Sequence, residues 1–237
     1  MNWTEISKTK DVEAVRKAAT ELDVNERDVC GRTPLLLFVT NRMPVEAIDL
    51  LIERGADLEA EDKLGDTALK KAVKFKQKDV IVKLLEAGAK LDSPRGILAS
   101  AWNFARGGRK EIADLLLGTT GAVRMTLTAE ERAAQDHILY EESIPTMCSK
   151  ISRVDCSVLL YAVVNHYNWD SGPEPMLAAF SNPACLEITL LDMYELLDGD
   201  YWLEQDETEL AASGEDARWR ELAEGLQKRL HRTREER

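Results

Sequence analysis

Short apolar blocks separated by polar turn sequences dominate the first half of the 237-residue chain. Val12, Val15, Ala18 and Ala19 have the spacing of one face of an amphipathic helix, because side chains three and four residues apart share a face. Denser apolar blocks follow, each bounded by glycine, aspartate or asparagine. This pattern predicts a series of short helices joined by tight turns.

Two of these blocks carry a repeated sequence. Gly31-Arg-Thr-Pro-Leu recurs 34 residues later as Gly65-Asp-Thr-Ala-Leu, and the Leu-Leu to Gly-Ala ending at Gly55 recurs 33 residues later at Gly88. A period near 33 residues is typical of stacked helix–turn–helix units, which build extended binding surfaces. The period therefore predicts a protein that binds another macromolecule.

The residues of the repeat motif each have a local physical reason. Gly31 and Gly65 permit the positive φ that a tight turn needs. Thr33 and Thr67 are placed to cap the first helix of each unit, and Pro34 fits a first helical turn. The glycines that follow each second helix can end it in a left-handed conformation.

On these motifs, residues 11–118 resemble ankyrin repeats. Two units are clear, and in a third, residues 108–116 match the second helix while the Thr-Pro-Leu entry of the first helix is missing. Leu36 and Lys70 stand where the family has histidine, so a side-chain link between neighbouring turns is lost. Trp3 and Ile6 are expected to lie on a preceding helix that closes the end of the stack.

In ankyrin stacks the partner usually binds a concave surface made of the turn tips and the exposed face of each first helix. Carried over to this chain, the resemblance implies a protein-binding surface at Arg32, Thr40, Asn41, Lys63, Leu64, Asp66, Lys74, Phe75, Arg95 and Arg106. Leu64 and Phe75 leave two interpretations open. They form an exposed apolar hot spot, or they pack on the adjacent unit.

The repeat stops after residues 118–121, and the remaining sequence predicts further helices. The predicted helices are 128–142, a helix from Asp155 onward, 176–180, 186–197 and 215–232. Pro145 is expected to break the first of these, and residues 198–200 are expected to end the helix at 186–197. The first of them begins with a Thr128-Ala-Glu-Glu capping box. The sequence thus predicts an all-α fold in two domains. An ankyrin-repeat solenoid (1–118) is followed by a small acidic helical domain (122–237).

Charge is divided unequally between these domains in a chain whose formal net charge is −12. Residues 1–118 hold 20 basic and 20 acidic residues, whereas residues 119–237 hold 11 basic and 23 acidic residues. An acidic surface repels nucleic-acid phosphates and attracts basic proteins. We therefore expect no nucleic-acid partner. The acidic charge either recruits a basic protein or only aids solubility.

Residues 150–205 resemble a bacterial family catalogued as domain of unknown function 4274. The resemblance rests on an Asn-Trp-Asp-x-Gly loop at 168–172, an Asn-Pro-x-Cys turn at 182–185 and a helix that ends in Asp-Gly at 198–199. It implies a bacterial origin and brings no established activity.

The loop residues His166, Asn168, Trp169 and Asp170 have no assigned role. Histidine can act as a general base, and Cys185 is a possible nucleophile, but the order and spacing match no catalytic triad. The structural alternative is that Trp169 buries apolar area while the polar side chains bond to the loop backbone.

The remaining signals concern compartment and cofactors. The N-terminus lacks a secretion-signal pattern, and no apolar run reaches the ~18 residues of a membrane span. We expect a cytoplasmic protein without a membrane partner, whose four cysteines are free thiols. No metal-ligand spacing, phosphate-binding loop or nucleophile motif appears, so we expect no cofactor, no metal and no catalytic residue.

The favoured function is that of a non-enzymatic protein–protein interaction protein. Within this class, the repeats, the acidic half and the bacterial resemblance favour an immunity protein, similar to an antitoxin, that binds and inhibits a basic effector. The alternative is that the second domain is an enzyme or small-ligand binder whose substrate the repeats recruit.

Overall fold

Helices and helical turns account for the regular structure of the residues that this computed structural model describes, 2–205 and 214–235, and these residues contain no strand. The all-α prediction is therefore confirmed. The chain divides into two compact units, 1–122 and 123–237, called here the first and the second unit. No described helix combines the length and the apolar sequence that crossing a bilayer requires.

The first unit is a row of short helices in the order that the repeats predict. Its helices are α1 (Trp3–Thr9), α2 (Val12–Glu21), α3 (Pro34–Thr40), α4 (Val45–Glu53), α5 (Ala68–Lys74), α6 (Lys78–Glu86), α7 (Ala101–Arg106) and α8 (Lys110–Ala113), with 3-10 turns at Ile97–Ala99 and Asp114–Leu116. Helices α1, α3, α5 and α7 pack in succession, and α2, α4 and α6 do the same. Trp3 and Ile6 are buried on α1, as the end of such a row requires.

The helix starts are set by the side chains that the repeat sequence supplies. Thr33 accepts a hydrogen bond from the backbone N–H of Leu36, and Thr67 accepts one from Lys70. In the third unit, which lacks the Thr-Pro-Leu entry, Ser100 caps α7 in the same way. Each cap satisfies a backbone donor at a helix N-terminus, so a missing motif does not remove the helix.

Arginine and glutamine side chains link neighbouring repeats where the family's histidine is absent. Arg27 donates to the carbonyl oxygen of Glu61 at 2.7 Å, and Arg95 donates to that of Gly65 at 3.2 Å. Gln77 donates to the carbonyl oxygen of Val39 at 2.7 Å. These bonds join consecutive repeats and so replace the lost link.

The second unit contains seven described helices. They are α9 (Ala129–Leu139), α10 (Ile144–Ser152), α11 (Ser157–His166), α12 (Glu174–Phe180), α13 (Glu187–Leu196), α14 (Gly199–Glu204) and α15 (Gly214–Glu235), with a 3-10 turn at Trp169–Ser171. Helix α15 packs against α12, α13 and α14. Fully buried side chains at the centre of the unit include Leu160, Met176, Met193, Leu222 and Leu226.

Two predicted helix ends in this unit are present, but each is followed by a helix, α10 and α14, that was not predicted. Helix α9 ends at Leu139, so the predicted end of this helix before Pro145 is confirmed. Pro145 itself lies in the first turn of α10, which Ser143 caps, because proline fits the first turn of a helix. The predicted helix end at 198–200 is also confirmed, since α13 ends at Leu196. Asp198 takes a left-handed φ of 55°, and α14 begins at the next residue. The capping box of Thr128 and Glu131 is present, as predicted.

All four cysteines are free thiols, as predicted. Cys30 is exposed, Cys148 and Cys156 are partly buried, and Cys185 is buried. Burial raises the pKa of the Cys185 thiol to about 11. Burial and the raised pKa both disfavour the nucleophilic role considered for this thiol.

Candidate protein-binding surfaces

The finger turns, defined here as residues 28–32 and 62–66, carry apolar side chains into solvent. Val29 is 87% exposed and Leu64 is 79% exposed. Of the two interpretations that the sequence leaves open for Leu64, the structure therefore favours exposure. A large exposed apolar side chain at a turn tip is available to a partner.

Phe75 differs from Leu64 because Arg42 covers it. The Arg42 guanidinium carbon lies 5.9 Å from the centroid of the Phe75 ring, and the same guanidinium donates to the carbonyl oxygen of Phe75 at 3.0 Å. The ring is half-buried. Phe75 thus packs on a side chain of the preceding repeat instead of standing free.

The ten residues predicted to bind a partner differ widely in exposure. The exposed ones are Lys63, Leu64 and Arg95; the half-buried ones are Arg32, Thr40, Asn41, Lys74, Phe75 and Arg106; and Asp66 is buried. Thr40 and Asn41 make internal hydrogen bonds, to the Leu36 carbonyl oxygen and to the Ser7 hydroxyl, each at 2.7 Å. Their part in binding remains a prediction.

Asp66 does not present its carboxylate to solvent as the prediction requires. The residue is only 2% exposed. Its carboxylate accepts a hydrogen bond from Lys74 at 2.6 Å and forms ion pairs with Lys70 at 3.4 Å and Lys71 at 3.5 Å. Lys71 also pairs with Asp62 at 2.7 Å. Asp66 is therefore the anchor of a lysine cluster.

The lysine cluster keeps both aspartates ionised. Burial by itself raises the pKa of Asp66, but the hydrogen bond from Lys74 and the charges of Lys71 and Lys70 outweigh it and lower that pKa below the ordinary 3.8. At Asp62, burial also raises the pKa, but the hydrogen bond from Lys71 outweighs this effect, so the pKa of Asp62 is lowered as well. At neutral pH the cluster thus holds two carboxylates against three ammonium groups.

Phe104 is a surface residue that the sequence reasoning missed. Its ring is 49% exposed, and the ammonium groups of Lys74 and Lys70 lie 4.6 Å and 5.4 Å from its centroid. Such distances are those of cation–π contacts. Phe104 follows Ser100 by four residues, as the buried residue Leu37 follows Thr33. The repeat register therefore predicts that the side chain at position 104 is buried. The only sequence signal for a binding role is that this position, in a helix without the repeat motif, is apolar.

The second finger borders a groove of about 400 Å³. Gly65 and Arg95 line it, together with Glu59, Glu61 and Lys70. Arg95 lies 3.7 Å from the Glu61 carboxylate and covers Gly65, where a Cβ atom would lie 2.9 Å from its guanidinium. Charges of both signs therefore meet in this groove.

In the second unit, the Asn-Trp-Asp-x-Gly loop is held by its own side chains. The carbonyl oxygen of the Asn168 side chain accepts from the backbone N–H of Asp170, and its amide donates to the Ser171 hydroxyl at 3.0 Å. The Trp169 ring stacks on Trp219 of α15 with centroids 5.8 Å apart. Gly172 has a φ of 98°, which favours glycine.

The other two loop residues face solvent. His166 is exposed, and its Nδ1 atom lies 2.9 Å from the carbonyl oxygen of Ala162. Asp170 is exposed as well. These two side chains are free to meet a ligand or partner, whereas Asn168 and Trp169 shape the loop.

A groove of about 510 Å³ brings His166 and Asn168 together with α9 and α10. Its apolar walls include Leu139, Ile144 and Met147. The residues that give it an acidic and aromatic rim are Asp136, Tyr140, Glu141 and Glu142, and we call it the acidic groove.

The charges at the acidic groove are almost entirely negative. Glu141 pairs with Lys150 at 2.8 Å, and that hydrogen bond lowers the pKa of the Glu141 carboxyl. Asp136 and Glu142 are exposed and form no ion pair with any residue in the described ranges. Tyr140, beside them, is 83% exposed. Two carboxylates and an aromatic ring are thus available to a cation.

The Asn-Pro-x-Cys turn is a buried structural joint. The side-chain amide of Asn182 donates to the carbonyl oxygens of Ile151 and Val154, each at 2.9 Å, and its oxygen accepts from the backbone N–H of Ala184 at 2.7 Å. Asn182 thereby ties the end of α10 to the segment before α13. The Asn-Pro-x-Cys motif therefore has a structural role.

Within 2–205 and 214–235, no group of three or more histidine, cysteine, aspartate or glutamate side chains is arranged to hold a metal ion.

Comparison with known families agrees with the two resemblances read from the sequence. The family model of ankyrin repeats (three copies) matches residues 5–95, and that of the domain of unknown function DUF4274 matches residues 155–231. No curated protein matches the chain. The first unit thus carries ankyrin repeats, which are protein-interaction modules, and the second carries a DUF4274 domain of uncharacterised activity.

Proposed function

We propose that this chain is a cytoplasmic, non-enzymatic immunity protein of bacterial origin that binds and inhibits a basic protein effector. The observation that carries the proposal is the acidic groove, where Asp136 and Glu142 stand exposed without a described ion partner. Ankyrin repeats in the same chain support a role in protein–protein interaction.

The composition around the groove supports a basic partner. Residues 125–217 contain 19 acidic residues and three basic ones, and one of these, Lys150, already pairs with Glu141. A concentrated field of one sign speeds encounter with an oppositely charged protein. Exposed carboxylates at an interface contribute mainly to this rate and to partner choice.

The shape of the groove supports insertion of a lysine or arginine side chain. Met147 is buried at its wall, beside Leu139 and Ile144, and can contact the apolar stem of such a side chain. Tyr140 offers the face of an exposed ring to the cation. A basic effector would thus find apolar contact and two counter-charges at one place.

The predicted face of the ankyrin repeats contributes differently. Its exposed members Lys63, Leu64 and Arg95 are apolar or basic, and its acidic member Asp66 is buried. A basic effector is therefore held by the second unit, while the repeats contact an apolar or acidic part of a partner.

A second candidate function has an observation of its own. A groove of about 510 Å³ lined by His166 falls within the ~300–1,000 Å³ typical of small-ligand pockets. The second unit would then be an enzyme or ligand binder. Replacing His166 and Asp170 with alanine separates the two, because both side chains are exposed and their loss leaves the fold intact. Loss of an activity, with effector binding retained, favours chemistry.

The experiment that tests the proposal is affinity capture by the tagged full chain from native bacterial lysate at low and high salt. We expect one stoichiometric basic protein, released by salt because screening weakens exposed charge pairs. The captured protein is then assayed for an activity that the chain suppresses. Absence of a partner at both salt concentrations, or a partner that is acidic, contradicts the proposal.

A further inference from the structure

A pocket of about 210 Å³ lies between the C-terminal ends of α5 and α7 in the ankyrin unit. Its apolar lining comes from Val73, Phe104, Ala105 and Ile112. Three of these side chains are buried, while the Phe104 ring is half open to solvent. The pocket therefore offers a partner a floor and one exposed aromatic wall.

The rim of this pocket is basic. Lys74, Lys76 and Arg109 are its charged lining residues, and no aspartate or glutamate lines it. Lys76 and Arg109 are exposed and form no ion pair with a residue of the described ranges. The positive charge is thus local, because the first half of the chain as a whole is neutral.

Lys74 is fixed in position before any partner arrives. Its ammonium group donates to Asp66 at 2.6 Å and lies 4.6 Å from the centroid of the Phe104 ring. A side chain held from two sides loses little conformational entropy on binding, which favours affinity. The wall of the pocket and its nearest charge are therefore preorganised together.

The size of the pocket limits what can fill it. Small-molecule sites commonly enclose ~300–1,000 Å³, so 210 Å³ suits one bulky apolar side chain better than a whole ligand. The residues on either side of that side chain would face Lys76 and Arg109. Charge complementarity requires these flanking residues to be acidic.

We propose that this pocket, named here the Phe104 pocket, binds a bulky apolar side chain within an acidic segment of a protein partner. This surface is separate from the acidic groove and opposite to it in charge. The chain therefore contacts proteins through two sites of opposite sign, and binding at the Phe104 pocket does not depend on the proposed inhibition of a basic effector.

The test uses the full chain and a random-peptide display library, followed by titration of the selected synthetic peptides. We expect a class of selected peptides that is rich in aspartate and glutamate around a leucine or aromatic residue. Phe104→Ala removes the exposed wall, and we expect it to weaken these peptides about tenfold, as loss of an aromatic anchor does. Arg109→Glu should weaken them by a similar factor and reduce their salt dependence.

Matched variants control for general effects. Tyr201→Ala removes an exposed aromatic ring from the second unit, outside the acidic groove, and Lys17→Glu makes the same change of charge sign on α2. Both should leave affinity unchanged. The proposal is overturned if the peptides sensitive to Phe104→Ala and Arg109→Glu are basic, if no selected peptide is sensitive to either variant, or if a random single-stranded oligonucleotide displaces the acidic peptides.

Discussion

The ammonium group of Lys74 donates to the buried carboxylate of Asp66 at 2.6 Å. Asp66 is buried, although its turn position predicts a place on the partner-binding face. Lys70 and Lys71 share the same carboxylate, so the aspartate organises the inner surface of the second repeat. We therefore expect any partner contact in this region to involve the lysines and Phe104 instead of Asp66.

Asp66→Asn should destabilise the ankyrin unit. The amide cannot balance three lysine charges, and removing one partner of a buried charged hydrogen bond costs about 2 kcal/mol. Urea unfolding followed by circular dichroism measures the loss. Asp57→Asn is the control, because Asp57 is exposed on another turn. Equal stability of the Asp66 variant and the wild type would show that the cluster does not support the fold.

The same carboxylate makes stability depend on pH in the acid range. The pKa of Asp66 is lowered below 3.8 in the folded protein, so the unfolded chain takes up a proton first as the pH falls. The stabilisation that Asp66 contributes is fully present above the ordinary pKa of 3.8 and is lost as the pH falls through the lowered pKa of the folded protein. Asp66→Asn should flatten the acid limb of a plot of unfolding free energy against pH. An unchanged acid limb would mean that groups other than Asp66 cause the loss of stability at low pH.

Asn182→Ala should destabilise the second unit by about 2 kcal/mol, because it leaves the carbonyl oxygen of Val154 without its side-chain donor, whereas that of Ile151 keeps the backbone N–H of Val154. Asn165→Ala is the matched control. Its amide bonds only to the carbonyl oxygen of Tyr161, one turn earlier in its own helix. Thermal unfolding of both variants ranks the two effects. Equal losses would argue against a structural role for the Asn-Pro-x-Cys turn.

Gly199→Ala should destabilise the second unit by about 2 kcal/mol, a cost typical of overpacking. A Cβ atom at position 199 would lie 2.6 Å from Cδ2 of Tyr194, which is too close for any real contact. Combining the change with Tyr194→Ala in a double-mutant cycle measures the clash directly. Additive losses would mean that the two positions do not interact. Gly107→Ala, which meets no atom within 4 Å, controls for the added methyl group.

Trp169→Ala should lower stability by about 3 kcal/mol, since it removes a ring stacked on Trp219. His166→Ala and Asp170→Ala should change stability by less than ~0.5 kcal/mol, as exposed substitutions do. The urea midpoints of the three variants test whether Trp169 supports the fold while His166 and Asp170 do not. A large loss from His166→Ala would move that residue into the structural half.

The repeat architecture could be predicted from the sequence because its signals are local. Thr33 and Thr67 cap helices and the glycines take positive φ wherever the motif occurs. Helix α10 was missed because Pro145 was interpreted as a helix end, although proline also favours a first turn when a residue such as Ser143 caps it.

The surfaces were harder to predict because they depend on which repeat covers which side chain. Asp66 is buried by lysines brought together in space, and Phe104 is exposed at a position that is buried in the preceding repeats. Likewise, Asp136 and Tyr140 meet His166 only after α9 and α11 have packed together. Such juxtapositions have no fixed spacing in the sequence.

The most direct test of the central claim measures the affinity of the purified effector for charge-reversed variants at low and high salt. The test variant is Asp136→Lys with Glu142→Lys, and the control is Glu21→Lys with Glu53→Lys, which makes the same change of net charge on the exposed surface of the ankyrin unit. We expect the groove variant to lose about tenfold or more in affinity at low salt and to lose most of its salt dependence, because both carboxylates attract the effector. The control should bind as the wild type does. Equal affinities for the two variants would contradict the proposal that the acidic groove holds a basic partner.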